Sequence, residues 1–356
     1  MSRFLKDKYK GLAPYTPGEQ PKERKFIKLN TNESPFPPSE KAIAAARLEA
    51  ERLMLYSDPE CRDLVSKMAD SFGVDKSSVI MTNGSDEVLN FAFMAYCDDN
   101  TPAVYADITY GFYKVFAEVN RLPSKVIPLK EDFTIDIGDY VNAEGTVFIA
   151  NPNAPTGILL PLSEIERLVK SKPDRIVVID EAYIDFGGES AVALTKKYDN
   201  LLVTGTFSKS RSMAGARLGY GIANPEIIND LTRIRYSTNP YNVNRMTMAA
   251  GIGALADREY FEENCKKIIE NRAFTEKELK ALGFDFLPSK ANFIFAKSER
   301  IDGKKLYLAL KEKGVLVRHF DAERICDFNR ITIGSAEEMQ TLIDKIKEIL
   351  EENEKQ

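Results

Sequence analysis

Lys209 lies in the stretch TGTFSKSRSMAGARLGYG (residues 204–221), flanked by hydroxyl side chains and eight positions ahead of Arg217. A lysine in such a place is either a solvated surface charge, which is the usual fate of the residue, or a partly desolvated amine. Desolvation favours the neutral form, which is a nucleophile toward carbonyl carbon. Thr206 and Ser208 could donate to a phosphate, and Arg217 could clamp it with its planar fork. Upstream, RIVVIDEAYIDF sets Asp180 at the end of an apolar run and Tyr183 three residues on. The acid there either caps the next segment or faces a cationic ring nitrogen and keeps it protonated.

Two further stretches have the same character. In MTNGSDEVLN an apolar run ends in Asn83, Gly84 and Ser85 before a helical pattern. Glycine admits a close approach of backbone, and the free N–H groups at a helix start attract an anion. Taken alone, Ser85 or Asp86 is an ordinary N-cap. VFIANPNAPTG, with Asn153 and Ala154, reads by itself as a turn at a strand end.

The elements that must position these residues follow from the pattern of apolar runs. SSVIMT, PAVYAD, KVIPL, TVFIAN, RIVVID, LLVTGTF and RLGYGIA are short apolar runs. SDEVLNFAFMAYC, YGFYKVFAEVN and LSEIERLVKS, between them, have helical spacing. Strands apolar on both faces, alternating with helices, predict an α/β fold with a mostly parallel sheet covered by helices. Ligands of such sheets bind outside the carboxyl ends of the strands, which is where all four stretches fall. A ring-nitrogen acid, a phenol, a phosphate cradle and an amine together are the parts that pyridoxal 5'-phosphate requires.

The rest of the chain divides around this unit. Residues 1–40, rich in Pro and Asn, read as an extended arm. A helix is expected to start at Ser39, and residues 41–264 form the large domain. A long helical stretch runs from about 243 to 282. Residues 265–356 form a small α+β domain on which the arm packs, with strands at DFLP, ANFIFAK, VLVRHF and RITIGS. Its closing helix is amphipathic through Met339, Leu342, Ile343, Ile346, Ile349 and Leu350.

The ordered set NGSDE, NPNAPTG, VVIDEAYIDF and TFSKSRSMAGARLGYG resembles the fold-type I, class I/II aminotransferases. LNTNESPFPP, YSDPECRDL, SKANFIFAK, GVLVRHF and DFNRITIGS narrow the likeness to the histidinol-phosphate aminotransferase branch, over nearly the whole chain. The resemblance implies that Lys209 forms the Schiff base with pyridoxal phosphate, that Asp180 pairs with the ring nitrogen and that Tyr183 bonds the ring hydroxyl. It assigns the phosphate to Gly84, Ser85, Asp86, Thr206, Ser208 and Arg217, and the ring face to Tyr110 in DITYGFY. It sends Tyr56 to the cofactor phosphate of a second subunit, which implies a homodimer with shared sites.

One position departs from the pattern. The asparagine expected before PTG is Ala154, so its contact with the ring hydroxyl is either missing or supplied by Asn151 or Asn153. On the substrate side, strand alternation puts Arg330 opposite Ile331 and Ile333, and Arg318 on a face with Leu316 and Phe320. By resemblance these two arginines clamp the substrate anion, with Tyr15 assisting from the arm. The implied reaction converts L-histidinol phosphate and 2-oxoglutarate to imidazole-acetol phosphate and L-glutamate, a step of histidine biosynthesis. The alternative within the fold is an aromatic amino-acid aminotransferase or a decarboxylase of a phosphorylated amino acid.

Composition bounds the remaining classes. The 356 residues, 44% apolar and with a formal charge of −5, carry no basic stripe of the kind that draws nucleic acid or an anionic membrane. Cys61, Cys97, Cys265 and Cys326 are isolated, without metal-ligand spacing, and no metal is expected. The N-terminus lacks the apolar core of a signal peptide and no run is long enough to span a bilayer, so a cytoplasmic protein is expected. The single histidine, His319, is read as a packing residue; TFSK has Thr206 where an SxxK acyl-transfer site needs serine.

Overall fold

The computed structural model describes residues 2–22 and 24–354. Thirteen strands occur among them, β1 (Ile27–Lys28), β2 (Val79–Thr82), β3 (Ala103–Ala106), β4 (Ser124–Ile127), β5 (Thr146–Ala150), β6 (Val177–Asp180), β7 (Leu201–Thr206), β8 (Gly219–Ala223), β9 (Phe284–Phe286), β10 (Phe293–Ser298), β11 (Val315–Leu316), β12 (Arg318–His319) and β13 (Asn329–Thr332). The seven runs read as strands of the large domain all join one sheet, in the order β2-β8-β7-β6-β5-β3-β4. Only β8 runs against its neighbours, β2 and β7.

The apolar runs are continuous because each strand feeds two cores. Val147 and Ile149 of β5, Val177 and Ile179 of β6, and Leu201 and Val203 of β7 pack into one apolar cluster. Phe148, Val178 and Leu202, which alternate with them, pack into another on the opposite face. Helices cover both faces, and the helix Leu162–Ser171 illustrates how: Ile165, Leu168 and Val169 are buried at spacings of three and four.

The stretch read as one long helix from 243 to 282 is two, Arg245–Leu255 and Arg258–Ala281. The break is at Asp257, whose φ of −117° and ψ of 61° lie outside the helical range and whose carboxylate pairs with Lys41 at 3.2 Å. The second helix is continuous across the expected boundary at 264/265. Gly253 of the first lies so close to the helix Glu40–Ala50 that a Cβ would sit 2.5 Å from the Lys41 carbonyl. Ser39 caps the latter helix by accepting from the Ala42 N–H.

A four-stranded antiparallel sheet, β12-β13-β10-β9, underlies the C-terminal part. The closing helix, Ala336–Glu354, buries all six residues of its predicted stripe. VLVRHF is not one strand: β11 pairs in parallel with β1 from the N-terminal arm, and β12 pairs with β13. The arm's demand for a partner accounts for the split. Leu29, 1% exposed, is part of the same core as the closing helix, and its carbonyl accepts from Thr332 N–H at 2.9 Å.

Candidate active site

Parallel strands end at one edge, and β8 begins there because it runs the other way. Asp180 ends β6, Lys209 follows β7, the loop 151–157 follows β5, Gly84 follows β2, and Arg217 precedes β8. The sheet thereby gathers residues that are up to 133 positions apart in sequence, from Gly84 to Arg217. A cavity of about 310 Å³ lies at this edge, lined by Ser85, Asp86, Tyr110, Asp180, Tyr183, Thr206, Ser208, Lys209 and Arg217.

Asp180 is 4% exposed. Its Oδ2 accepts from the Tyr113 hydroxyl at 3.3 Å and its Oδ1 from the Ala182 N–H at 3.2 Å. Burial, and then the nearby Asp86 carboxylate, push its pKa up to about 7. A cationic partner placed in the cavity would reverse that shift. Tyr113 is fully buried in the adjoining core; sequence reading passed over it, since a tyrosine among Phe112, Phe116 and Ala117 looks like any core residue of an amphipathic helix.

At the opposite end, Arg217 has left-handed backbone, φ 54°, and pairs with Asp86 at 2.9 Å. The other oxygen of Asp86 accepts from the Tyr110 hydroxyl at 2.6 Å. Gly84 has φ 77°, and a Cβ on it would stand 2.6 Å from an Arg217 nitrogen. Only glycine permits both the backbone and the guanidinium there. Thr206 donates to Ser208 at 2.8 Å, and the helix Ser85–Tyr96 presents its first N–H groups beside them. Four elements thus converge on an anion-sized space with donors from each. The set fits a phosphate at one end and a protonated ring nitrogen at the other.

Between the two, Lys209 Nζ donates to the Thr31 carbonyl at 3.3 Å and lies 5.8 Å from the centre of the Tyr183 ring. Glu33 lines the same cavity. Burial pushes the Glu33 pKa up, but hydrogen bonds from Lys28 and Thr31 outweigh it and leave the carboxyl below its ordinary range. Glu33 and Thr31 sit in LNTNESPFPP, whose order of Asn and Glu was the only signal available for them.

A second cavity of about 490 Å³ adjoins the first, sharing Tyr110, Tyr183, Ala154 and Lys209 and adding Tyr15, Arg318 and Arg330. The Arg330 Nε is buried without a partner, one terminal nitrogen donates to the Asn30 carbonyl at 2.9 Å, and the guanidinium lies over Phe293 and Phe320. Burial lowers its pKa, and Arg318 adds to the effect. Arg318 donates to the carbonyls of Thr16 and Pro17, which ties the arm to this wall. Tyr15 packs on Phe112, ring centres 4.5 Å apart.

Asn153 is not where the sequence reading put it. Its Oδ1 accepts from Thr109 at 2.7 Å and its Nδ2 donates to the Ile108 carbonyl and Thr156 hydroxyl, so the amide holds the loop together and borders a different cavity. Asn151 is spent likewise, on the N–H and carbonyl of Leu160. Neither lines the cavity beside Ala154 and Lys209. Tyr56 lines neither cavity; it is 80% exposed and stacked on Tyr241 at 4.6 Å. His319 is a packing residue, stacked on Tyr307 with its Nδ1 unpartnered.

The model of the aminotransferase class I and II family matches residues 24–346. The chain belongs to the class I and II aminotransferases. It is 50% identical over 354 residues to the histidinol-phosphate aminotransferase of Brachyspira hyodysenteriae, covering 98% of this chain and 99% of that one. To the histidinol-phosphate aminotransferase of Clostridium acetobutylicum it is 46% identical over 351 residues, 98% and 100% of the two chains. The fold is that of the Sinorhizobium meliloti histidinol-phosphate aminotransferase solved in complex with pyridoxal-5'-phosphate, with a TM-score of 0.84, 24% identity and 92% of each chain covered. This class I and II aminotransferase is a pyridoxal-phosphate-dependent transaminase acting on small molecules. Among the described residues no helix is long and apolar enough to cross a membrane, and no group of His, Cys, Asp and Glu could hold a metal ion.

Proposed function

We propose that the enzyme moves the amino group of L-histidinol phosphate to 2-oxoglutarate, giving imidazole-acetol phosphate and L-glutamate, in histidine biosynthesis. The observation that carries this reading is the pair Arg318 and Arg330, which line the cavity beside Lys209 with no carboxylate partner among the described residues. A half-buried guanidinium without an anion is costly, and the phosphate of one substrate and a carboxylate of the other answer it in turn. The names of relatives as similar as 50% over nearly the whole chain support the same substrate.

Pyridoxal phosphate supplies an aldehyde for amine exchange and a ring that accepts an electron pair. Lys209 would anchor it and, with its amine free, would carry the proton of the substrate α-carbon as acid and base. Asp180 would keep the ring nitrogen protonated, Tyr183 would donate to the ring hydroxyl, and Tyr110 would stand against the ring. Gly84, Ser85, Asp86, Thr206, Ser208 and Arg217 would hold the phosphate through backbone amides, hydroxyls and the guanidinium. Tyr15 would assist at the substrate from the arm.

The working unit is a homodimer. Leu53, Met54, Leu55 and Tyr56 are consecutive and each more than half exposed, with Leu48 nearby at 73% and Tyr241 stacked on Tyr56. So large an apolar patch calls for a protein partner. A second copy would place Tyr56 at the neighbouring site, where its hydroxyl reaches the cofactor phosphate. The four free thiols suit the reducing cytoplasm.

Two measurements test the reading. The purified protein should carry a yellow chromophore that borohydride bleaches and that Lys209→Ala lacks. Offered histidinol phosphate, phenylalanine, tyrosine or threonine phosphate with 2-oxoglutarate, it should form glutamate fastest with the first; glutamate from phenylalanine but not from histidinol phosphate would overturn the substrate.

A further inference from the structure

Asn32 has left-handed backbone, φ 56°, and is 1% exposed. Its own N–H donates to the Thr332 hydroxyl oxygen at 3.0 Å, and that hydroxyl donates back to Asn32 Oδ1 at 2.9 Å. With Oδ1 occupied, Nδ2 is the atom that meets the Tyr183 hydroxyl, 2.9 Å away. The Asn32 carbonyl accepts from Asn292 at 3.1 Å. An amide N–H can only donate, so Tyr183 oxygen accepts from it and keeps its own proton free for the cavity.

Ala154 borders the same cavity and packs with Tyr183, Ala291 and Phe293 in a small apolar cluster. A methyl group there donates nothing, and neither Asn151, bonded to Leu160, nor Asn153, bonded to Ile108, Thr109 and Thr156, lines that cavity. We propose that Asn32 is a positioning residue that takes over the work of the asparagine absent at 154, acting through Tyr183 rather than on the cofactor directly. A donor on the phenol oxygen polarises the phenol and makes its proton a stronger donor to the ring oxygen. The same residue joins Tyr183 to β13, where Thr332 stands two positions from Arg330 and Arg330 holds the Asn30 carbonyl. Occupancy of the Arg330 cavity and polarisation of the cofactor ring therefore share one short segment, residues 30–32.

The proposal rests on Tyr183 facing the ring hydroxyl, and the test separates the two. A donor to the ring oxygen draws off negative charge that holds the nearby imine proton, so losing the donor raises the pH midpoint of the bound cofactor's absorption band. Holoenzyme with Asn32→Ala is expected to show a midpoint about 0.5 to 1 pH unit above wild type, the equivalent of one neutral hydrogen bond. Thr332→Val, which only loosens Asn32, should move it the same way by less. Adding Ala154→Asn to Asn32→Ala should return at least half of the shift. An unchanged midpoint in Asn32→Ala, or a shift that Ala154→Asn does not reduce, overturns the proposal. If Asn32→Ala does not fold, Thr332→Val decides, and an unchanged midpoint there is the negative result. A Tyr183→Phe variant with a wild-type midpoint would instead remove the underlying role of Tyr183.

Discussion

Arg318 and Arg330 are direct partners across the antiparallel β12–β13 ladder, so two guanidiniums share one cavity wall. The one acid among the described residues lining that cavity, Asp107, is already paired with Arg324 at 2.8 Å. Like charges placed opposite each other on a sheet repel, and this repulsion is held in readiness for an anion. Arg330→Met should raise the melting temperature of the ligand-free protein, because a half-buried charge with no carboxylate partner among the described residues is replaced by an apolar side chain. The same variant should lose kcat/KM for both substrates by roughly a hundredfold or more, the worth of about 3 kcal/mol from a charge-assisted pair. Thermal melts and steady-state kinetics on one preparation check both signs; loss of activity with loss of stability would mean that Arg330 is structural.

Asp180 makes a statement about pH. Its folded pKa of about 7 lies above the ordinary carboxylate value of 3.8, so between these limits the folded apoprotein binds more protons than the unfolded chain. Stability from this group is therefore present at low pH and lost as pH rises, by about 1.4 kcal/mol per unit within the window. Glu181, pushed by burial to about 8, adds a slope of the same sign, so only a difference between variants isolates Asp180. Denaturant unfolding of the apoprotein at pH 5 and pH 7.5 should show a smaller fall for Asp180→Asn than for wild type. Equal slopes would show that Asp180 stays ionised without its partner.

Gly84 reports on the phosphate end. Alanine there must adopt φ 77° and carry its methyl within 2.6 Å of the Arg217 guanidinium. The backbone strain, at φ 77° and ψ 162°, costs about 1–3 kcal/mol, and displacement of the arginine removes a charge-assisted bond of about 1.5–3 kcal/mol. Gly84→Ala should thus lower apoprotein stability by about the strain and weaken cofactor affinity tenfold or more, the latter read by fluorescence titration with pyridoxal phosphate. Unchanged affinity would place the phosphate elsewhere.

The parts of the site that could be read from sequence are those whose chemistry is local. Lys209, Asp180, Tyr183 and Arg217 sit at strand ends within a few residues of recognisable apolar runs, and the parallel sheet brings such ends together whatever lies between. Asn32 and Tyr113 were not legible because their meaning depends on partners 151 and 67 positions away, and no periodicity encodes a contact of that range. Asn153 misled for the converse reason: its neighbours in sequence suggested a ligand contact, whereas Thr109 and Ile108 claim its amide. The split of VLVRHF has the same origin, since the partner of Val315 is Ile27 in the arm.

Tyr56 lines neither of the two cavities at Lys209, and this permits a test of shared sites that neither variant gives alone. In a homodimer where each site takes Lys209 from one subunit and Tyr56 from the other, a Lys209→Ala homodimer has no working site and a Tyr56→Ala homodimer has two damaged ones. Subunit exchange between them creates hybrids in which the subunit retaining Lys209 faces a neighbour retaining Tyr56. One site of each hybrid is then intact. With equal mixing, half of the dimers are hybrids, so activity should rise to about a quarter of the wild-type value at the same total protein, as two-fold symmetry requires. Refolding the mixture from denaturant ensures exchange, and light scattering checks that the dimer re-forms. Activity equal to the average of the two parents would mean that Tyr56 serves its own chain or none, and the exposed patch from Leu53 to Tyr56 would need another explanation.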